Sequence, residues 1–129
     1  MDIPVVTLDE LLRRLESDEP FVLVDALAPM VYAHSHLPSA INLPPADVDP
    51  FIVARRIPDR EAEIIVYCTS PECADSVQTA ERLVVLGYSK VRRYAGGKNE
   101  WREAGLPLER AGKPFVPRSG SVRPRTADV

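Results

Sequence analysis

The sequence predicts an α/β fold, in which a parallel central sheet of about five strands is covered by helices on both faces. Strand-like and helix-like segments alternate from residue 5 to residue 104, and this alternation is typical of parallel sheets. Two apolar runs, at residues 21–24 and 64–67, are continuous, as expected for strands buried on both faces. The 129 residues are enough for one domain with a proper core and too few for two ordinary domains.

The predicted elements follow one another along the chain. A short strand at Val5–Val6 precedes a helix whose capping box pairs Thr7 with Glu10. The remaining segments are a strand at 21–24, a short helix at 29–35, a strand at 40–43, a weak helix at 48–56, a strand at 64–67, a helix at 76–86, a strand at 91–94 and a short helix at 99–104. Gly87 is placed to end the helix at 76–86, and the last helix is expected to bury Trp101.

The composition changes near the end of the chain. Basic residues and prolines lie among small polar residues with little to bury, so we expect residues 1–109 to form the domain and residues 110–129 a disordered basic tail. A solvated tail without a partner is the simpler interpretation, and a contact with an acidic protein or RNA is the alternative.

Charge and hydropathy exclude several classes of function. The net charge of −3 argues against a nucleic-acid partner held by a general basic field. No apolar segment is long enough to span a membrane, and the acidic amino terminus lacks the pattern of a signal peptide. We therefore expect a cytoplasmic protein, in which two cysteines are more typical of catalysis, redox chemistry or core packing than of a structural disulfide.

Cys68 stands where a buried strand, at 64–67, gives way to a helix, at 76–86. Ligands bind at the carboxyl edge of such a sheet, and the unpaired N–H groups and dipole of the following helix favour an anion. Loop amides can add an anion-binding nest. These groups would lower the pKa of Cys68 toward neutrality and make it a nucleophile. The local pattern leaves a buried core cysteine open as the alternative.

Five segments form a pattern in a fixed order. They are residues 21–25 (FVLVD), 32–44 (YAHSHLPSAINLP), 65–68 (IVYC), 80–88 (with AERL and LGY) and 94–109 (with YAGG, Trp101 and AGLPLE). Their order and spacing resemble the rhodanese-like family of sulfurtransferase domains, in the single-domain form with a lengthened active-site loop. The resemblance covers residues 5–109 and leaves out the tail.

The resemblance implies that Cys68 takes a sulfane sulfur from a thiosulfate-type or polysulfide-type donor, holds it as a persulfide and passes it to a thiol or protein acceptor. It implies no metal or organic cofactor, and neither a nucleic acid nor a membrane as partner. The implied binding loop consists of Thr69, Ser70, Pro71, Glu72, Cys73, Ala74, Asp75 and Ser76. Backbone N–H groups of this loop would hold the persulfide anion, with the Thr69 and Ser70 hydroxyls as candidate helpers.

The chain departs from the family pattern in its charges. The loop has no arginine and carries Glu72 and Asp75, which would repel anionic donors and raise the pKa of Cys68. Asp75, three residues before Gln78, also fits a helix N-cap. The usual Asp-x-Arg is Asp25-Ala26-Leu27. These departures favour an alternative, a non-catalytic interaction or regulatory module.

Cys73 is the second cysteine of the loop. It is a candidate resolving thiol that would form a disulfide or a bridging polysulfide with Cys68, which makes a thiol redox switch a further alternative. It also fits a small apolar residue that packs the loop. His34 and His36 do not have the spacing of an ordinary zinc motif, so we expect no metal site. His36 is expected to bridge loops by hydrogen bonds.

Overall fold

A parallel sheet forms the centre of this chain in a computed structural model, which describes residues 2–110. Its strands are β1 (Val5–Val6), β2 (Val22–Asp25), β3 (Ile41–Asn42), β4 (Ile64–Tyr67) and β5 (Val91–Tyr94). The five strands lie in the order β1-β5-β4-β2-β3, and every neighbouring pair is parallel. The predicted α/β fold is therefore confirmed. The predicted tail lies, from residue 111 onward, outside the described residues.

Helices connect the strands and cover both faces of the sheet. They are α1 (Leu8–Glu16), α2 (Pro29–His34), α3 (Pro50–Arg56), α4 (Asp75–Val85) and α5 (Gly97–Glu103). The predicted capping box is present at α1: Glu10 N donates to Thr7 Oγ1 at 3.1 Å and Thr7 N donates to Glu10 Oε1 at 2.8 Å. No helix within residues 2–110 is both long and apolar enough to cross a membrane.

The weak helical signal at 48–56 corresponds to α3, and a 3₁₀ turn precedes it. A 3₁₀ turn at Pro45–Asp47 comes first, and α3 then begins at Pro50. Asp49 caps α3, because its carboxylate accepts hydrogen bonds from the N–H groups of Phe51 and Ile52. This cap sets the start of the helix two residues later than the pattern predicted.

Each face of the sheet has its own core. On one face, Val24 and Val66 pack in a cluster with Val53 and Leu83, from α3 and α4. On the other face, Leu23, Ile65 and Tyr67 pack with Leu11, Leu15 and Trp101, from α1 and α5. Trp101 is buried, as expected, and its Nε1 donates to the Pro107 carbonyl at 2.8 Å. The central strand β4 contributes to both clusters, which explains its continuous apolar sequence.

Candidate active site at the carboxyl end of β4

Cys68 directly follows β4 and lies beside the amino terminus of α4, as predicted. The residue is only 1% exposed. A β-turn follows it, in which Cys73 N donates to the Ser70 carbonyl at 3.1 Å. Pro71 occupies the second position of this turn, where its fixed φ is favourable. The turn folds the loop back over the Cys68 sulfur.

The Cys68 sulfur contacts both hydrogen-bond donors and an acceptor. The backbone N–H and the hydroxyl of Ser76 act on it as donors and lower its pKa, and the nearby Cys73 thiol raises its pKa. In addition, the Cys68 thiol donates to the Cys73 carbonyl oxygen at 3.4 Å. Of the N–H groups predicted to form a cradle, only that of Ser76 is among the leading influences on the Cys68 pKa, and the Cys73 amide is used inside the turn. The sulfur lies between a carbonyl of the loop and two donors of α4.

The pKa of Cys68 is raised, and the expectation that it falls toward neutrality is wrong. Burial of the thiolate is the largest cause, the hydrogen bond with Cys73 adds to it, and the two Ser76 donors oppose it. The sequence also predicted that the carboxylates of Glu72 and Asp75 would raise the pKa of Cys68, but neither is among the leading influences on it. Glu72 is exposed on the outer side of the loop, where water screens its charge.

Asp75 does not cap α4, which corrects a second expectation. The N-cap residue is Ala74, with helical backbone angles and no side-chain hydrogen bond, and Asp75 is the first residue of the helix. A carboxylate cap would have occupied N–H groups of the first turn. Without it, the Ser76 amide of that turn is free to bind the Cys68 sulfur.

The amino terminus of α5 holds the backbone on the other side of Cys68. Lys98 N donates to the Cys68 carbonyl and Asn99 N donates to the Thr69 carbonyl, both at 2.9 Å. Gly97 permits this contact: its φ is +68°, and a Cβ there would lie 2.6 Å from the Cys68 carbonyl oxygen. The two carbonyls are thereby turned toward α5 and away from α4.

Arg93 is a site residue that the sequence analysis missed. Its Nε donates to Ser76 Oγ at 3.0 Å, so that the hydroxyl accepts from Arg93 and keeps its own proton for the Cys68 sulfur. A signal existed in the sequence, since Arg92 and Arg93 are adjacent within β5 and must point to opposite faces of the sheet. Arg92 points away from this site and lies 3.7 Å from Glu63. A basic residue outside the loop therefore supports the loop.

Tyr67 is a second residue whose role the sequence did not indicate. Its hydroxyl donates to Asp25 Oδ2 at 2.7 Å and accepts from Leu37 N at 2.9 Å. Asp25 is fully buried, and its Oδ1 also accepts from Leu27 N at 2.8 Å. Burial raises the pKa of Asp25, and the hydrogen bonds from Tyr67 and Leu27 oppose the rise. This group joins the ends of β2 and β4 beside the site.

Lys98 places a buried cation near the same group. Its Nζ donates to the Ser35 carbonyl at 2.7 Å, and the residue is 5% exposed. Burial lowers the pKa of Lys98, and the charge of Asp25 opposes this. In the family pattern an arginine stands two residues after the aspartate, and here that position is Leu27. Lys98 of α5 therefore provides a cation near Asp25 that residues 25–27 lack.

The histidines do not contribute to the site. His36 stacks on Tyr32 with ring centroids 3.9 Å apart, its Nδ1 lies 2.7 Å from the Tyr32 carbonyl, and its Nε2 lies 3.4 Å from Glu109. This is the structural bridging that the sequence analysis expected. His34 is exposed. Among residues 2–110, no three or more His, Cys, Asp or Glu side chains are grouped to hold a metal ion.

A surface groove of about 510 Å³ lies at the opposite edge of the sheet, and Ile3, Glu63, Lys90 and Arg92 are among its lining residues. Glu63 and Lys90 precede β4 and β5, so this groove opens at the amino ends of the strands. Ligands of parallel sheets bind at the carboxyl ends, and the reactive groups of this chain lie there. The groove is therefore not part of the candidate site.

Residues 7–104 match the family model of the Rhodanese-like domain. An HTH-type transcriptional regulator of Mycobacterium tuberculosis is 36% identical over 104 residues, which are 81% of this chain and 44% of the regulator. The chain thus spans less than half the length of this curated relative.

Solved structures with the same fold include two sulfurtransferases. A thiosulfate sulfurtransferase from Pseudomonas aeruginosa superimposes with a TM-score of 0.73 and 31% identity, over 84% of this chain and 20% of that protein. A human single-domain sulfurtransferase superimposes with a TM-score of 0.65 and 26% identity, over 79% of this chain and 97% of that protein. The second is matched over nearly its whole length.

Proposed function

Because this chain belongs to the rhodanese-like domain family, we propose that it accepts a sulfane sulfur on Cys68, holds it as a persulfide and passes it to a thiol. The observation that carries the proposal is the position of the Cys68 sulfur at the amino terminus of α4, where the backbone N–H and the hydroxyl of Ser76 act on it as donors and lower its pKa. Donors fixed at a helix amino terminus stabilise an anion on sulfur.

The transfer begins with loss of the Cys68 proton. Ionisation breaks the hydrogen bond to the Cys73 carbonyl and leaves the two Ser76 donors to stabilise the thiolate. The thiolate attacks the outer sulfur of the donor, and the sulfur–sulfur bond of the donor breaks. With thiosulfate, sulfite leaves with the electron pair. An acceptor thiolate then attacks the outer sulfur of the persulfide and restores the Cys68 thiolate.

Charge and burial restrict the donor. The loop has no arginine to bind the sulfonate end of thiosulfate, whereas polysulfide has no sulfonate group that would need such a partner. Cys68 is 1% exposed beneath the turn formed by residues 70–73, and this turn must move before any donor reaches the sulfur. We therefore expect faster sulfur uptake from polysulfide than from thiosulfate.

Peptide-resolved mass spectrometry tests the proposal. The reduced Cys73→Ser variant, which has a single thiol, is incubated with polysulfide or thiosulfate, and its peptide that contains Cys68 is expected to gain a sulfur atom. The Cys68→Ser variant should gain none at this position. Absence of the adduct with both donors, in a Cys73→Ser protein whose Cys68 is alkylated by iodoacetamide, would rule out the carrier function.

A second candidate function is a non-catalytic regulatory module. Burial and the raised pKa of Cys68 favour it, because a protonated, covered thiol is a poor nucleophile. The related regulator of Mycobacterium tuberculosis is consistent with a regulatory use of such a domain. Sulfur uptake separates the two functions, because the pKa of Cys68 is raised in the resting structure under either one: a regulatory module forms no persulfide with either donor.

A further inference from the structure

The second thiol of the loop lies against the first. Cys73 follows Cys68 by five positions, and its carbonyl oxygen is 3.4 Å from the Cys68 sulfur. The Cys73 thiol is also near enough to raise the pKa of Cys68. The turn closed by Cys73 N and the Ser70 carbonyl produces this approach, because it folds the loop back toward the end of β4.

The two thiols differ in their access to solvent. Cys68 is buried, whereas Cys73 is partly exposed. A reagent in solution therefore reaches Cys73 more readily, and Cys73 is in turn placed against the sulfur that solvent does not reach. A reactive thiol is often paired with a second thiol that resolves its oxidised product, and the greater exposure of Cys73 leaves a Cys68–Cys73 disulfide open to exchange with an external thiol.

We propose that Cys73 resolves the Cys68 persulfide, so that the domain reduces sulfane sulfur to hydrosulfide and closes an intramolecular Cys68–Cys73 disulfide. This inference rests on the proposed function, since the persulfide must form first. The Cys73 thiolate attacks the Cys68 sulfur, a new bond joins the two cysteine sulfurs, and the bond to the outer sulfur breaks. The outer sulfur leaves as hydrosulfide with the electron pair.

The electrons of this reaction come from the two cysteines. With thiosulfate as donor, two thiols and one thiosulfate give one disulfide, one hydrosulfide and one bisulfite, so that atoms and charge balance. The sulfane sulfur is the oxidant, and no oxygen is consumed. An external thiol or dithiol reductant then restores both cysteines by exchange at the more exposed sulfur of Cys73. The chain thus performs one turnover for each reduction.

A single-turnover experiment without oxygen tests the resolution step. Reduced wild type, Cys73→Ser and Cys68→Ser proteins are treated with thiosulfate, or with polysulfide that is then removed by desalting. For wild type we expect release of hydrosulfide in proportion to the protein, loss of both thiols and a Cys68–Cys73 cross-linked peptide without added sulfur. For Cys73→Ser we expect a stable persulfide on Cys68 and no hydrosulfide until a thiol is added. Cys68→Ser should show neither.

Two outcomes would overturn the inference, and they differ. If Cys73→Ser takes up sulfur and wild type keeps the same persulfide, or a cross-link that retains the extra sulfur, resolution by Cys73 is wrong and the carrier function stands. If Cys73→Ser takes up no sulfur from either donor, the carrier function fails and the resolution step fails with it. Iodoacetamide alkylation of Cys68 in that variant confirms that its thiol is present and reduced.

Discussion

Replacement of Ser76 by alanine tests how the Cys68 thiolate is stabilised. The Ser76 hydroxyl acts as a donor to the Cys68 sulfur and lowers the pKa of Cys68, and alanine removes this donor while the backbone N–H remains. A hydrogen bond to a charged group contributes about 1.5–3 kcal/mol. Since 1.4 kcal/mol is a factor of about ten, Ser76→Ala should lower the ionised fraction of Cys68 roughly 10- to 100-fold at pH values below its pKa.

Arg93 acts on the same sulfur through Ser76. Its Nε donates to Ser76 Oγ at 3.0 Å, which orients the hydroxyl proton toward Cys68. Arg93→Met frees the hydroxyl to rotate, and loss of one ordinary hydrogen bond of about 0.5–1.5 kcal/mol predicts a smaller fall, of roughly 2- to 10-fold. Arg92→Met is the matched control, because it removes the same charge from the same strand but beside Glu63.

The assay is the rate of Cys68 alkylation by iodoacetamide as a function of pH, followed on the peptide that contains Cys68. The midpoint of the profile should move to higher pH in Ser76→Ala, less in Arg93→Met and not at all in Arg92→Met. Thermal unfolding of each variant shows whether the fold is retained. A wild-type profile in folded Ser76→Ala would refute this account of thiolate stabilisation, and equal shifts in the two arginine variants would refute the role of Arg93.

Two more predictions concern the backbone and the pH dependence of stability. Gly97 and Gly105 have φ values of +68° and +77°, but only at Gly97 would a Cβ meet backbone atoms. We expect Gly105→Ala to lower the free energy of unfolding by roughly 1–2 kcal/mol and Gly97→Ala to lower it by about 1–3 kcal/mol more, and each kcal/mol lowers the melting temperature by about 4–8 °C. Equal losses in the two variants would contradict the close contact at Gly97. Burial raises the pKa of Asp25 above 3.8, so the folded state stays protonated at this carboxyl to a higher pH than the unfolded state. The stability that the protonated carboxyl contributes is therefore present below pH 3.8 and is lost as pH rises through the raised pKa. Over that pH interval the melting temperature of wild type should fall relative to that of Asp25→Asn. Parallel plots of melting temperature against pH for the two proteins would show that the Asp25 carboxyl does not cause the loss of stability.

The sequence predicted the elements that carry their own pattern. The bounds of β4 were predicted to the residue, because a continuous apolar run between turn formers depends only on local residues. The start of α5 was predicted at residue 99 and lies at Gly97. Its first turn is fixed by N–H groups that donate to the carbonyls of Cys68 and Thr69, which are distant in sequence, and no local pattern encodes such a contact.

In the candidate site, too, local features were predictable and tertiary contacts were not. The place of Cys68 between a buried strand and a helix amino terminus was predictable, since it is a property of the chain order. The direction of its pKa shift was not, because it depends on whether burial or the Ser76 donors prevail. Arg93 and Lys98 were missed for a related reason: each reaches a partner on another element, and a lone basic residue in the sequence does not identify its partner.

The raised pKa of Cys68 and the proposed carrier function follow from different parts of the structure. Burial beneath the turn at residues 70–73 and contact with Cys73 raise the pKa, and both depend on the position of the loop. The Ser76 donors lower it and belong to α4, while Arg93 belongs to β5, so regular structure fixes them. Any displacement of the turn that admits a sulfur donor therefore also removes the two causes of the raised pKa and leaves the opposing donors in position. A thiol that is protonated when covered and more acidic when uncovered is protected from oxidants at rest and becomes nucleophilic when a donor reaches it.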